Sequence, residues 1–257
     1  MRISIIQPDT VWESPKQNFN RLEYQISLLG SDTDIIILPE MFNTGFSLDP
    51  EKLSEIPGGE TFRWMTKISL EKNAGICGSY LIQDRNKFFN RWIFVSPENN
   101  KSWHYNKRHL FRMTNEEQFL TQGNRRLTFR FRDVRISANI CYDLRFPVCS
   151  RNTDNFDLLI NAANWPEARR DVWITLLRAR AIENQCYVAG ANRIGTDGNG
   201  YTYSGESMII DPKGQIIIKG EKNKECTISA NISMTELKAF RKKFPVLKDA
   251  DRFTLNR

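Results

Sequence analysis

The sequence predicts an α/β protein, and three observations carry that prediction. Short, continuous apolar runs such as Asp34-Ile-Ile-Ile-Leu38 and Phe156–Ala162 have strand length, longer segments repeat apolar residues at helical spacing, and the two kinds alternate along the chain. Runs that are apolar throughout, rather than at every second residue, belong to strands covered on both faces. No linker, internal repeat or low-complexity stretch divides the 257 residues. One domain spanning 1–257 is therefore expected, with 244–257 as an irregular C-terminal tail.

Met1-Arg-Ile-Ser-Ile-Ile-Gln-Pro8 is too short and too lightly charged for a signal peptide and reads as a first strand. Ser14 and Pro15 offer an N-cap and a first-turn proline for a helix through about Leu29, with Phe19, Leu22, Ile26 and Leu29 on one face. The Asp34–Leu38 strand ends at Pro39 and delivers Glu40 to its C-terminal end. Gly58-Gly59-Glu60 opens a helix to about Lys72, followed by strands at Ala74–Ile82, Phe88–Val95 and Ser102–Lys107, the last two joined through a turn at Pro97–Asn100. In the second half, Leu127–Phe131 and Val134–Cys141 form a predicted hairpin, Phe156–Ala162 a buried strand, and Glu167–Asn184 a long helix with Glu167 near its positive end. Strands are expected at Tyr187–Asn192, Met208–Asp211, Gln215–Lys219 and Cys226–Ala230, with a turn at Asp211-Pro-Lys-Gly214 and a terminal helix at Met234–Lys243.

Composition excludes several classes. No apolar run approaches the length of a membrane span, so no membrane partner is expected. The net charge is +7, but the 37 Lys/Arg are interleaved with 30 Asp/Glu. The short basic clusters Arg125-Arg126, Arg169-Arg170 and Arg241-Lys242-Lys243 read as solvated faces, and no nucleic-acid motif accompanies them. Five scattered cysteines without CxxC spacing fit neither a disulfide framework nor a zinc site. A cytoplasmic protein without metal or cofactor is the expectation.

Three predicted strand ends carry groups that suit one chemistry: Glu40, Lys107 and Cys141. A thiol nucleophile needs a base, and the acyl oxyanion it generates needs a cation or N–H donors. Each residue alone also has an ordinary reading, as a packed cysteine, a solvated carboxylate or a surface lysine.

Taken together, Leu38-Pro-Glu-Met-Phe42, Tyr105-Asn-Lys-Arg-His-Leu-Phe111 and Ile140-Cys-Tyr-Asp-Leu-Arg-Phe-Pro147 resemble, in order and across nearly the whole chain, the nitrilase superfamily of carbon–nitrogen hydrolases. Pro39–Phe46, Lys107–Met113, Ala163–Pro166, Arg178–Gln185 and Asn192–Gly200 narrow the resemblance to bacterial omega-amidases, which act on ω-amides of 2-oxo acids. The resemblance implies a four-layer αββα sandwich, with Glu40 as general base, Cys141 as nucleophile, and Lys107 with the Tyr142 N–H at the oxyanion. It implies a second glutamate that Glu116 matches by its distance from Gly123, with Glu117 as the adjacent rival. It puts Arg145 in the pocket as a grip for a substrate carboxylate, against the plainer reading that Arg145 pairs with Asp143 or Glu183. Phe42, Phe111 and Trp165 are candidate pocket walls or core aromatics, while His109 is expected to be structural and His104 exposed.

The implied reaction is hydrolysis of 2-oxoglutaramate, 2-oxosuccinamate or the keto-amide of methionine salvage to the acid and ammonia, through a cysteine thioester. Carbamoyl-amine, aliphatic-amide or nitrile hydrolysis is the alternative within the superfamily. A basic RNA-binding protein on an inactive scaffold is the reading from another class. The family association implies a homodimer or higher homo-oligomer, with 141–152 and the 167–184 helix as contact candidates.

Overall fold

The computed structural model describes residues 1–98 and 101–255. Its strands form two six-stranded mixed sheets and a small separate hairpin. The first sheet has the order β14 (Cys226–Asn231), β1 (Arg2–Gln7), β2 (Ile35–Ile37), β3 (Gly75–Asp84), β4 (Lys87–Val95) and β5 (Ser102–Asn106). The second has β13 (Ile216–Lys219), β12 (Met208–Ile210), β9 (Tyr187–Ala191), β8 (Leu158–Ala162), β7 (Val134–Ile140) and β6 (Thr128–Phe131). The strands β1, β2 and β3 run parallel, as do β7, β8 and β9, and the outer pairings are antiparallel.

The period-2 geometry of these strands explains their continuous apolar runs. In β2, Ile35 and Ile37 enter the core between the sheets, while Ile36 faces the layer covered by α1 (Pro15–Ser27) and α3 (Glu60–Lys72). In β8, Leu158 and Ile160 point between the sheets and Leu159 packs beneath α5 (Arg170–Asn184). Helix, sheet, sheet and helix thus form the four-layer αββα sandwich. The short α2 (Pro50–Leu53) and α4 (Glu116–Phe119) lie in connections, and α6 (Met234–Lys243) follows β14.

Local signals were read by the chain with two corrections. Ser14 precedes α1, but its side chain makes no cap hydrogen bond; its carbonyl accepts the Asn18 N–H at 3.0 Å, and Pro15 supplies the preorganised first turn. The long helix starts as a 3-10 turn at Glu167–Arg169 and becomes α-helical only at Arg170. Glu167 consequently pairs with Lys222 at 2.7 Å, and Asp171 is the carboxylate in the first α-helical turn. A 3-10 turn at Val246–Asp249 interrupts the otherwise irregular tail. Asn99 and Asn100 of the expected turn, and Asn256 and Arg257 of the tail, lie outside the described residues.

Candidate active site

Two sheets meet at the site, each supplying part of it. From the first sheet, the segment after β2 turns at Met41, whose φ is +43°, and buries Glu40, while the segment after β5 buries Lys107. The second sheet brings Cys141 from the end of β7 and Asn164 from the end of β8. The C-terminal ends of parallel strands are where open sheets leave room for ligands.

Lys107 is the hub. Its Nζ donates to Glu40 Oε1 at 2.9 Å and to both Glu116 oxygens at 3.0 and 2.9 Å. Burial alone would push Lys107 toward neutrality, but the Glu116 and Glu40 charges outweigh it and hold its pKa above the ordinary value. Burial raises Glu116, and the Lys107 charge opposes that shift. Glu116 also accepts the Phe111 N–H at 2.5 Å, whereas Glu117 is exposed, so the glutamate on Lys107 is Glu116. Both Glu40 oxygens are engaged: Asn90 Nδ2 and Lys107 share Oε1, at 2.7 and 2.9 Å, and the Asn164 N–H reaches Oε2 at 2.9 Å.

Cys141 sits beside this set with a φ of +43°, in the left-handed region that side chains avoid. Such strain persists only where surroundings over-determine it, commonly at functional positions. Here Asp143 does so: Oδ2 accepts the Ile140 N–H at 3.0 Å and the Tyr105 hydroxyl at 2.8 Å, and Oδ1 accepts the His109 N–H at 2.9 Å. His109 Nδ1 lies 2.7 Å from the same Oδ1, and its ring stacks on Phe146 at 3.8 Å. The fully buried Asp143 therefore ties the cysteine turn of one sheet to the lysine strand of the other. Burial pushes the Cys141 thiol well above its ordinary pKa; the Glu40 charge adds to this and Lys107 opposes it, while the thiol donates to the Asn164 carbonyl at 3.6 Å. A protonated thiol beside a carboxylate and an ammonium has the makings of base-assisted nucleophilic attack.

A pocket enclosing about 610 Å³ of empty space, its open mouth included, leads to Cys141. Phe111, Arg145 and Trp165, candidates from the sequence, lie in its lining, as does Tyr142. Arg145 lies over the Trp165 ring at 5.3 Å, and among the described residues neither Asp143 nor Glu183 forms an ion pair with it. Phe42 is a correction. It is 1% exposed and packs against Trp64 and Tyr80, with ring centroids at 5.8 and 6.5 Å, because the turn after Glu40 returns it to the layer under α3. Phe46 faces the pocket in its place, with Lys107 Nζ 5.1 Å from its ring centroid.

Sequence reasoning missed Asn90, Asn164 and the hairpin of β10 (Ile194–Thr196) and β11 (Thr202–Ser204), whose residues Asn199, Tyr201 and Tyr203 complete the wall. A signal existed for Asn164, which ends an apolar run just as Glu40 does, and for Asn90, a lone amide in a buried strand. The hairpin is held by Asp197, which accepts the Asn199 and Tyr201 N–H groups at 2.9 and 3.0 Å and the Tyr203 hydroxyl at 2.7 Å. Among the described residues there is no cluster of His, Cys, Asp and Glu able to hold a metal.

The fold is that of a carbon–nitrogen hydrolase, and the chain belongs to that family: the carbon–nitrogen hydrolase profile matches residues 2–242. It is an enzyme that hydrolyses carbon–nitrogen bonds. The chain is 41% identical over 255 residues to the omega-amidase YafV of Escherichia coli K12, covering 99% of this chain and 98% of that protein. It is 32% identical over 251 residues to the 2-oxoglutaramate amidase of Bacillus subtilis, covering 96% of both. The crystal structure of XC1258 from Xanthomonas campestris, a CN-hydrolase superfamily protein with an arsenic adduct in its active site, superimposes with a TM-score of 0.96 at 38% identity, over 100% of this chain and 99% of that one.

Proposed function

We propose that the protein hydrolyses the ω-amide of a 2-oxo acid, such as 2-oxoglutaramate, 2-oxosuccinamate or the methionine-salvage keto-amide, to the acid and ammonia. The observation that carries this reading is that Lys107 and Cys141, from separate strand ends, line one pocket with Arg145, while Glu40 and Glu116 lie buried against Lys107. The names of the two similar amidases support the substrate class.

In this scheme Glu40 takes the Cys141 proton as sulfur attacks the amide carbonyl. The oxyanion is held by Lys107 Nζ and by the Tyr142 N–H, which lies in the first turn of a 3-10 helix at Cys141–Arg145, where backbone donors have no intrahelical acceptor. Collapse breaks the C–N bond, the Glu40 proton goes to the leaving ammonia, and a thioester remains. Glu40 then takes a proton from water, which attacks the thioester, and that proton returns to the departing Cys141 sulfur. Glu116 keeps Lys107 charged and aimed, and Arg145 receives the substrate carboxylate.

Wild-type protein mixed with 2-oxoglutaramate should release ammonia and carry an acyl adduct on Cys141 by intact mass, and Cys141→Ala should do neither. An active Cys141→Ala protein refutes the mechanism; hydrolysis of neutral amides or nitriles alone refutes the substrate class. Arg145→Ala should raise KM for carboxylate-bearing amides and spare neutral ones. We also propose a cytoplasmic homodimer. The five free thiols suit a reducing compartment, and exposed Val148 and Phe253 line one surface recess with Glu183, at the end of α5. A 30 kDa monomer alone at micromolar concentration in sedimentation equilibrium would refute the dimer.

A further inference from the structure

We infer that Arg169 is a second anion-recognition residue of this pocket, acting with Arg145 on the substrate carboxylate and setting the preference for anionic over neutral amides. The sequence suggests only a solvated Arg169-Arg170 pair, but the structure separates the two residues. Arg170 is engaged by Glu206 and Asp171, whereas Arg169 lines the pocket.

The charges facing the pocket do not balance. Its lining includes Lys107, Arg145 and Arg169 and no carboxylate. Lys107 is matched by Glu40 and Glu116, each at 2.9 Å. Among the described residues, Arg145 and Arg169 have aromatic partners and no ion-pair partner: Arg145 lies 5.3 Å over Trp165, and Arg169 lies 5.2 Å over Phe111. Arginines nearby differ in this respect. Arg180 bonds Glu183 and the Leu144 carbonyl, and Arg193 bonds the Ile194 and Thr10 carbonyls.

Stacking holds a guanidinium plane without consuming its N–H donors, which remain available for a carboxylate in the bidentate manner that arginine favours. Trp165 links the two cations: its ring underlies Arg145, and its Nε1 donates to the Arg169 carbonyl at 2.8 Å. The Trp165 backbone is itself held by Asn192, which accepts from its N–H at 2.9 Å and donates to its carbonyl at 3.1 Å. Two uncompensated positive charges on a braced, partly enclosed wall select an anion. As a statement about substrate this rests on the amidase reading; as a statement about binding it does not.

The test is calorimetric titration of the Cys141→Ala protein with glutaramate, a carboxylate-bearing amide, and with glutaramide, its neutral counterpart. Glutaramate should bind more tightly. Arg169→Ala should weaken glutaramate by about tenfold or more and change glutaramide by less than about twofold, the expected loss of a charge-assisted hydrogen bond. Arg169→Lys, which keeps the charge without the fork, should fall between. An unchanged affinity for glutaramate, equal losses for both ligands, or no measurable glutaramate binding to the parent Cys141→Ala protein would each overturn the inference. Ammonia release by the wild type is scored separately. An Arg169 effect without turnover of any ω-amide refutes the reaction and keeps the anion site, whereas turnover with an indifferent Arg169→Ala refutes the anion site alone.

Discussion

Replacing Asp143 by asparagine preserves the shape of the side chain and removes one of its two acceptor oxygens, and the structure allows the consequence to be worked out. Four donors or ring nitrogens converge on this carboxylate, with Ile140 N and Tyr105 OH on Oδ2 and His109 N and Nδ1 on Oδ1. If the amide nitrogen takes the Oδ2 position, the Tyr105 hydroxyl can turn to accept, but the Ile140 N–H cannot. In the Oδ1 position, the imidazole can change tautomer, but the His109 N–H cannot. Either orientation strands one buried backbone donor, at ~1–3 kcal/mol, and the surviving bonds lose their charge assistance, so the total is about 2–4 kcal/mol. Urea unfolding followed by tryptophan fluorescence should show a lowered midpoint at unchanged m. Because Asp143 joins the Cys141 turn to the Lys107 strand, kcat should also fall further than KM rises. A variant within about 0.5 kcal/mol of wild type would refute the claim that this carboxylate fastens the two sheets together at the site.

The Cys141 thiol, raised by burial and by Glu40, should be alkylated by iodoacetamide with a rate that inflects above pH 9.0; an inflection below that value would contradict the assigned environment. The folded protein keeps this proton where the unfolded chain loses it, so the group's contribution to stability falls as pH rises beyond 9.0. Phe42→Ala should destabilise by ~3–5 kcal/mol, as for other buried aromatic truncations, with KM nearly unchanged. Phe46→Ala, on the pocket wall, should change KM at modest cost to the fold, and thermal melts alongside amidase kinetics separate the two.

Most of the fold was legible because its strands announce themselves twice, through apolar runs and through what stops them. Ile35–Ile37 could be read as buried on both faces because residues of alternating direction are all isoleucine, and the structure assigns each face a layer. Met234–Lys243 was found at its observed bounds, where the Ser233 side chain accepts the Glu236 N–H at 3.2 Å. The hairpin of β10 and β11 escaped because its three-residue strands are too short to show a period, and its identity is set by Asp197 bonding its own loop. At the candidate site, the motifs singled out Glu40, Lys107 and Cys141, but local sequence does not show which way a turn sends a side chain. Phe42 and Phe46 are both aromatics just beyond Glu40, and only the positive φ at Met41 and the packing of Trp64 decide which one meets the pocket.

The β10–β11 hairpin is a two-stranded sheet of its own, joined to neither large sheet by a ladder. It contributes Asn199, Tyr201 and Tyr203 to the wall, while Glu40, Lys107 and Cys141 hang from strands of the large sheets. Part of the pocket wall is thus mounted apart from the sheets that carry Glu40, Lys107 and Cys141. The loop between Asp197 and Tyr203 can be rebuilt without touching a ladder hydrogen bond beneath Cys141, which makes it the natural place to re-engineer which amides this scaffold admits.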